Sequence, residues 1–321
     1  MSKHLSRRDF LASASSVAAV VGAGPRLWAS AAAAGSRHVR LGGPVFLKSD
    51  DPAALAEEHR RLGYRAAYAP EVKASDSDRI KAIIKEFAAR DVALAEVGAW
   101  VNMVDPDPAK RRKNLAYVQE QLALADMLGA RCCVDIAGSF NPQQWDGPDP
   151  GNITDRFIEA TVENCRQIID AVKPTRTKFS IEMMPFTFPT GPDDYLQLIR
   201  KVDRKGFGVH LDVCNAINSP ERMYHNSAVI EECFRKLNPW IVSCHAKDLQ
   251  WKEYSQVCLL EVIPGHGVID YRAYLKGVSN LPVDAPLMLE HLEKPDEYDE
   301  GRRYIQKVGH EMGLSFDSEG P

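Results

Sequence analysis

The segment IVSCHAKDL (residues 241–249) runs apolar and small residues directly into His245, Lys247 and Asp248, with Ala246 between the first two. A buried strand gains nothing from ending in an imidazole, an ammonium and a carboxylate unless that end opens onto a site. The same pattern recurs in KFSIEMM (178–184), GFGVHLD (206–212) and APLMLEHL (285–292), which carry Glu182, Asp212 and Glu290 at the ends of short apolar runs. Four further apolar runs precede these, at 38–46, 64–69, 92–99 and 130–138. Between the runs lie stretches such as DPAALAEEHRRLG (51–63), SDRIKAIIKEFAARD (77–91) and DRFIEATVENCRQIIDAV (155–172), whose apolar residues recur every three or four positions. That is the period of a helix covering a sheet. Gly63 and Gly129 follow leucine at helix ends, the position a left-handed cap favours.

Strands alternating with helices imply a parallel sheet with right-handed crossovers. Eight such units predict an α/β protein, a single (β/α)8 TIM barrel over residues 35–321. An open doubly wound sheet is the competing architecture. It calls for a glycine-rich phosphate turn after an early strand, and RLGGPVF (40–46) does not supply one.

Residues 1–34 read differently. Ser-Arg-Arg-x-Phe-Leu (6–11) leads into an Ala/Val/Ser-rich apolar stretch and a run of small residues. This order of basic, apolar and small segments predicts a twin-arginine signal with cleavage near Ala34, or retention as an anchor. Localisation is then periplasmic or otherwise exported, with the twin-arginine translocase as a partner during export. The whole chain carries a net charge of −4, and the first 34 residues are net basic, so the remainder is more acidic still. With no basic block, a nucleic-acid surface is not expected. The seven cysteines form no CxxC pair, which favours buried, inert thiols over a zinc or redox motif.

Barrel chemistry sits at the C-terminal ends of strands. Strands five to eight bring Glu182, Asp212, His245 and Glu290 to one point. Three carboxylates gathered without a cation would repel one another, and a divalent metal removes that conflict. An oxygen-rich set with one nitrogen suits Mn²⁺ first, with Mg²⁺ or Co²⁺ as alternatives. His210 lies two residues before Asp212 and so shares its strand face, a candidate to line the barrel beneath the metal and to meet substrate.

The segments SIEMM, GVHLD, SCHAKD and MLEHL, with IPGHGVIDY (263–271), resemble the sugar isomerase/epimerase superfamily, the xylose isomerase-like barrels that include ketose 3-epimerases and inosose dehydratases. The resemblance implies that Glu182, Asp212, His245 and Glu290 hold one divalent metal and that Glu182 and Glu290 serve as acid and base. It implies a small carbohydrate as substrate and an isomerase or epimerase activity. Lys247 would then face the same cavity, as an oxyanion stabiliser or proton donor, or else form a rim ion pair. His266, on a glycine-flanked loop, is read as a second proton donor or a turn residue.

Two departures stand out. Ketose 3-epimerases carry a histidine where this chain has Asn215, itself a candidate substrate contact, and a second glutamate where it has Phe188. Loop aromatics, among them Trp100, Trp145 and Phe188, are expected to meet substrate instead. The alternatives are a lyase or dehydratase eliminating from a keto-sugar, keto-glycoside or inosose, and a non-catalytic carbohydrate-binding barrel. An abasic-site endonuclease would need more histidines and a basic groove. A homo-oligomer is left open.

Overall fold

Eight parallel strands close on themselves in a computed structural model that describes residues 38–252 and 256–317. They are β1 (Leu41–Gly42), β2 (Ala66–Tyr68), β3 (Ala93–Gly98), β4 (Cys132–Ile136), β5 (Lys178–Glu182), β6 (Phe207–Asp212), β7 (Ile241–Ala246) and, after a separate hairpin of β8 (Asp248–Trp251) and β9 (Leu259–Val262), β10 (Leu287–Leu289). Barrel order is β1-β10-β7-β6-β5-β4-β3-β2, so every pair is sequential once the hairpin is set aside. The segment read as a signal lies outside the described residues. No helix among the described residues is long and apolar enough to cross a membrane.

The crossover helices are α1 (Pro52–Arg61), α2 (Ser77–Ala89), α3 (Pro108–Leu128), α4 (Asp155–Val172) and α5 (Pro192–Val202). After β6 come α6 (Val213–Ala216), α7 (Pro220–Tyr224) and α8 (Asn226–Leu237), then α9 (Tyr271–Ser279) and α10 (Pro295–Glu311). Local chemistry fixes their starts. Asp51, Asp76, Asp107 and Asp270 each accept backbone N–H groups as N-caps, and proline follows Asp51 and Asp107 at the first helical position. Gly129 ends α3 in the left-handed region at φ 70°, as the Leu-Gly pattern predicts. One continuous apolar core joins the outward faces of the strands to the helices.

Two elements differ from the sequence reading. The run at 38–46 contains only a two-residue strand, Leu41–Gly42. Gly42 sits where a Cβ would lie 2.4 Å from Met288 Sδ and 2.6 Å from the Ala66 carbonyl, and Pro44 then removes a backbone donor. The second difference is the antiparallel pairing of β8 with β9, which stands beyond the end of β7.

Asp135 on β4 is fully buried, and its Oδ2 has no hydrogen-bond partner among the described residues. Burial pushes its carboxyl well above the ordinary range, although Oδ1 accepts from the Val101 and Ile136 amides. A carboxyl raised in the folded state contributes stability that is complete at acid pH and lost as pH rises through its folded value. Melting curves of wild type and Asp135→Asn across pH 5–8 should therefore diverge, with the wild type losing more on the alkaline side. Parallel curves would contradict this.

Candidate metal and acid–base site

Register brings the four predicted residues together. Asp212 pairs with His245 across β6 and β7, His245 pairs with Met288 across β7 and β10, and Glu290 directly follows β10. Glu182 closes β5 beside His210. One ligand atom from each of Glu182, Asp212, His245 and Glu290 lies within 4.8 Å of the others. His245 Nδ1 is 3.2 Å from Glu182 Oε1 and 2.7 Å from Glu290 Oε1. Asp212 spends Oδ1 on the amides of Cys214 and Asn215, fixing the start of α6.

Lys247 reaches into the same cluster. Its Nζ is 2.7 Å from Asp212 Oδ2, 2.5 Å from Glu290 Oε1, and 3.7 Å from both Glu182 and Glu261. The residue is 3% exposed, so its ammonium is a buried charge held by its counter-ions and not a rim ion pair. Asp248, its sequence neighbour, serves elsewhere: it accepts from the amides of Leu249, Gly265, Gly267 and Ile269 and clamps the loop before α9.

The electrostatics follow from this crowding. Burial raises the Glu182 carboxyl, but His245 and Lys247 beside it outweigh burial and hold it well below the ordinary range. Glu290 is lowered too, by His245 against burial and the repulsion of Glu182. Asp212 is pushed up to about 6 by burial, and the pull of Lys247 is opposed by Glu182 and Glu290. Burial disfavours the Lys247 ammonium, yet Asp212, Glu182 and Glu290 hold its pKa well above the usual value.

The donor set fits a hard divalent cation. Asp212 Oδ2 and Glu290 Oε1 are buried without a hydrogen bond of acceptable geometry, even with Lys247 within ion-pair distance. Three carboxylate groups and one imidazole at this spacing match an oxygen-rich centre with room for substrate oxygens.

Above the cluster opens a cavity of about 620 Å³ lined by Glu182, Asn215, Lys247 and Glu290 at its floor and by Trp100, Trp145 and Phe186 higher up. Of the seven residues singled out from sequence beyond the four candidate ligands, Asn215, Trp100, Trp145 and Lys247 line it. Asn215 Nδ2 donates to Glu182 Oε1 at 3.2 Å, so it orients that carboxylate. The other three lie elsewhere. Phe188, 3% exposed, belongs to the apolar core. His266 is half exposed and 2.7 Å from Glu300 of α10, drawn outward by that carboxylate. His210, expected to meet substrate, is fully buried and does not line the cavity; its Nε2 is held 2.9 Å from Glu96 Oε1.

The structure adds participants that the strand-end pattern did not reveal. Glu261, on β9, accepts from His291 Nδ1 at 2.8 Å, and His291 takes the left-handed region at φ 59° immediately after Glu290. Both line the cavity. Glu96 on β3, an acidic residue inside the apolar run 92–99, is a signal that the strand-end reading passed over. A second cavity, of about 370 Å³, is lined by Arg40, Asp91 and Arg131 among others. There Arg40 is already paired with Asp91 and Asp284.

Residues 54–308 match the family model described as xylose isomerase-like TIM barrel. No curated protein matches the sequence. Among solved structures the chain is similar to a xylose isomerase-like TIM barrel protein from Mycobacterium smegmatis in complex with magnesium, at 21% identity over 81% of this chain and 88% of that one, with a TM-score of 0.59. It is also similar to 3-keto-D-glucoside 4-epimerase from E. coli, at 11% identity over 84% and 99% of the two chains and a TM-score of 0.59. Endonuclease IV from Thermus thermophilus is a further neighbour, at 16% identity over 84% and 98% and a TM-score of 0.63. At these identities the likeness is one of fold.

Proposed function

The chain belongs to the xylose isomerase-like TIM barrel family, and from that premise we propose that it is an exported, divalent-metal-dependent isomerase or epimerase that removes a proton beside the carbonyl of a carbohydrate-like substrate. The observation that carries the reading is the convergence of Glu182 and Glu290 on His245 Nδ1, at the floor of one open cavity. Export rests on the Ser-Arg-Arg-x-Phe-Leu segment at 6–11. Mn²⁺ is the favoured ion for a set of three carboxylates and one imidazole, with Mg²⁺ or Co²⁺ as alternatives.

Glu182, Asp212, His245 and Glu290 would hold the cation, which supplies Lewis-acid polarisation of the substrate carbonyl. The residues do the proton work. Both glutamates are held ionised, so either can accept the proton from the carbon next to the carbonyl as the C–H electron pair moves toward oxygen. The partner glutamate returns a proton, taken up from substrate or water, to the opposite face or the adjacent carbon. Lys247 faces the developing oxyanion from the cavity floor, and Asn215 keeps the Glu182 carboxylate oriented.

Lys247 also favours a second reading. A buried ammonium in the cavity can protonate a departing oxygen, converting the same abstraction into β-elimination from a keto-sugar, keto-glycoside or inosose. Incubation of the metal-loaded protein in D2O with ketoses and keto-glycosides separates the two. Deuterium entering a substrate carbon with mass otherwise conserved supports the isomerase or epimerase, and loss of a leaving group with new near-ultraviolet absorbance supports the lyase. No exchange with any compound that binds the cavity would contradict both.

A further inference from the structure

His245 presents its two ring nitrogens to two different sets of carboxylates. Nδ1 faces Glu182 and Glu290, while Nε2 lies 3.2 Å from Glu96 Oε2. Glu96 is on β3 and His245 on β7, and three strands separate them in the barrel order, so this contact crosses the barrel interior. The other oxygen of Glu96 accepts from His210 Nε2 at 2.9 Å and from Ser243 Oγ at 2.5 Å. Glu96, His210, Ser243 and His245 are all 0–2% exposed. The His210 and His245 rings meet edge to face, 4.0 Å between centroids, which locks both orientations.

We infer that Glu96 is a positioning residue for the metal centre, accepting the Nε2 proton of His245 so that Nδ1 presents its lone pair to the cation. The inference rests on reading Glu182, Asp212, His245 and Glu290 as that centre. A histidine ligand coordinates through one nitrogen only when the other carries the proton, and a carboxylate behind it both selects that tautomer and raises the basicity of the ligating nitrogen. Ser243 and His210 in turn hold Glu96 in place. A different role, with Glu96, His210 and His245 forming a second cation site, is suggested by their proximity. Against it, Glu96 already accepts from both imidazoles directly, and coordination by His245 Nε2 would require that nitrogen to lose the proton it donates to Glu96.

The test begins with calorimetric titration of the metal-free protein with Mn²⁺. Wild type should take up one equivalent, and Glu96→Gln, which keeps the shape and removes the charge, should bind roughly 10- to 100-fold more weakly. Nitrogen-15 NMR of histidine-labelled, Mg²⁺-loaded wild type supplies a readout that needs no variant: His245 should carry its proton on Nε2. Two equivalents of Mn²⁺, a Glu96→Gln affinity within twofold of wild type, or a proton on Nδ1 would each overturn the inference. Wild type that binds no Mn²⁺ would overturn the metal-centre reading itself, a distinguishable outcome.

Discussion

Replacing Lys247 with methionine is expected to destabilise the metal-free protein by about 3–5 kcal/mol, the usual consequence of removing one partner from a buried ion cluster. Nζ lies 2.7 Å from Asp212 and 2.5 Å from Glu290, and without it Glu182, Asp212 and Glu290 face one another with only His245 between them. Methionine keeps a similar length and apolar stem, so the loss reports charge more than packing. In EDTA the melting temperature should fall by on the order of 10 °C for a domain of this size. The deficit should shrink as pH is lowered, because protonating Asp212, whose carboxyl is already pushed up to about 6, relieves the repulsion. Saturating Mn²⁺ should recover most of the loss, since the cation replaces the missing charge. Equal melting temperatures in EDTA would mean that the ammonium does not neutralise this cluster.

The other large effect is on proton transfer. Glu290→Gln and Glu182→Gln each retain an oxygen that can approach a cation but remove the group that takes or returns a proton. With saturating metal, product formation should fall by roughly 10²- to 10⁴-fold in both. The two variants should differ in a diagnostic way. The variant lacking the abstracting carboxylate loses solvent deuterium exchange as well, whereas the variant lacking the returning one keeps exchange while losing product. Undiminished turnover in either variant would remove that glutamate from the acid–base pair.

The barrel was legible because a parallel strand buried on both faces reads as a short apolar run, and a polar residue at its end has to be accounted for. Glu182, Asp212, His245 and Glu290 stand out for that reason, and the structure brings them within 4.8 Å. Asn215 and Lys247 were close enough in sequence to two of these residues to be placed on the cavity. Residues beyond the strands were harder. Glu261 reaches the cavity from β9, and neither DLQW nor LLEV is joined by a turn signal that would announce a hairpin. His291 enters through a left-handed backbone conformation that no local pattern specifies. His266, read as a proton donor or a turn residue, and Phe188, expected among the loop aromatics at substrate, both lie on loops. The Glu300 carboxylate and the apolar core decide where those side chains lie, and both are tertiary facts. Glu96 shows the same limit: the sequence reading passed over this acidic residue in an apolar strand, and nothing local names its partner, which lies across the barrel.

The measurement that bears most directly on the central claim is elemental analysis of the protein purified without added metal, alongside Asp212→Asn prepared identically. The account predicts about one equivalent of a divalent ion per chain, Mn²⁺ before Mg²⁺ or Co²⁺, strongly depleted in the variant because Asp212 supplies one of the four ligands. Wild type with no bound divalent ion and no uptake on dialysis against Mn²⁺, or a metal content indifferent to Asp212→Asn, would contradict it.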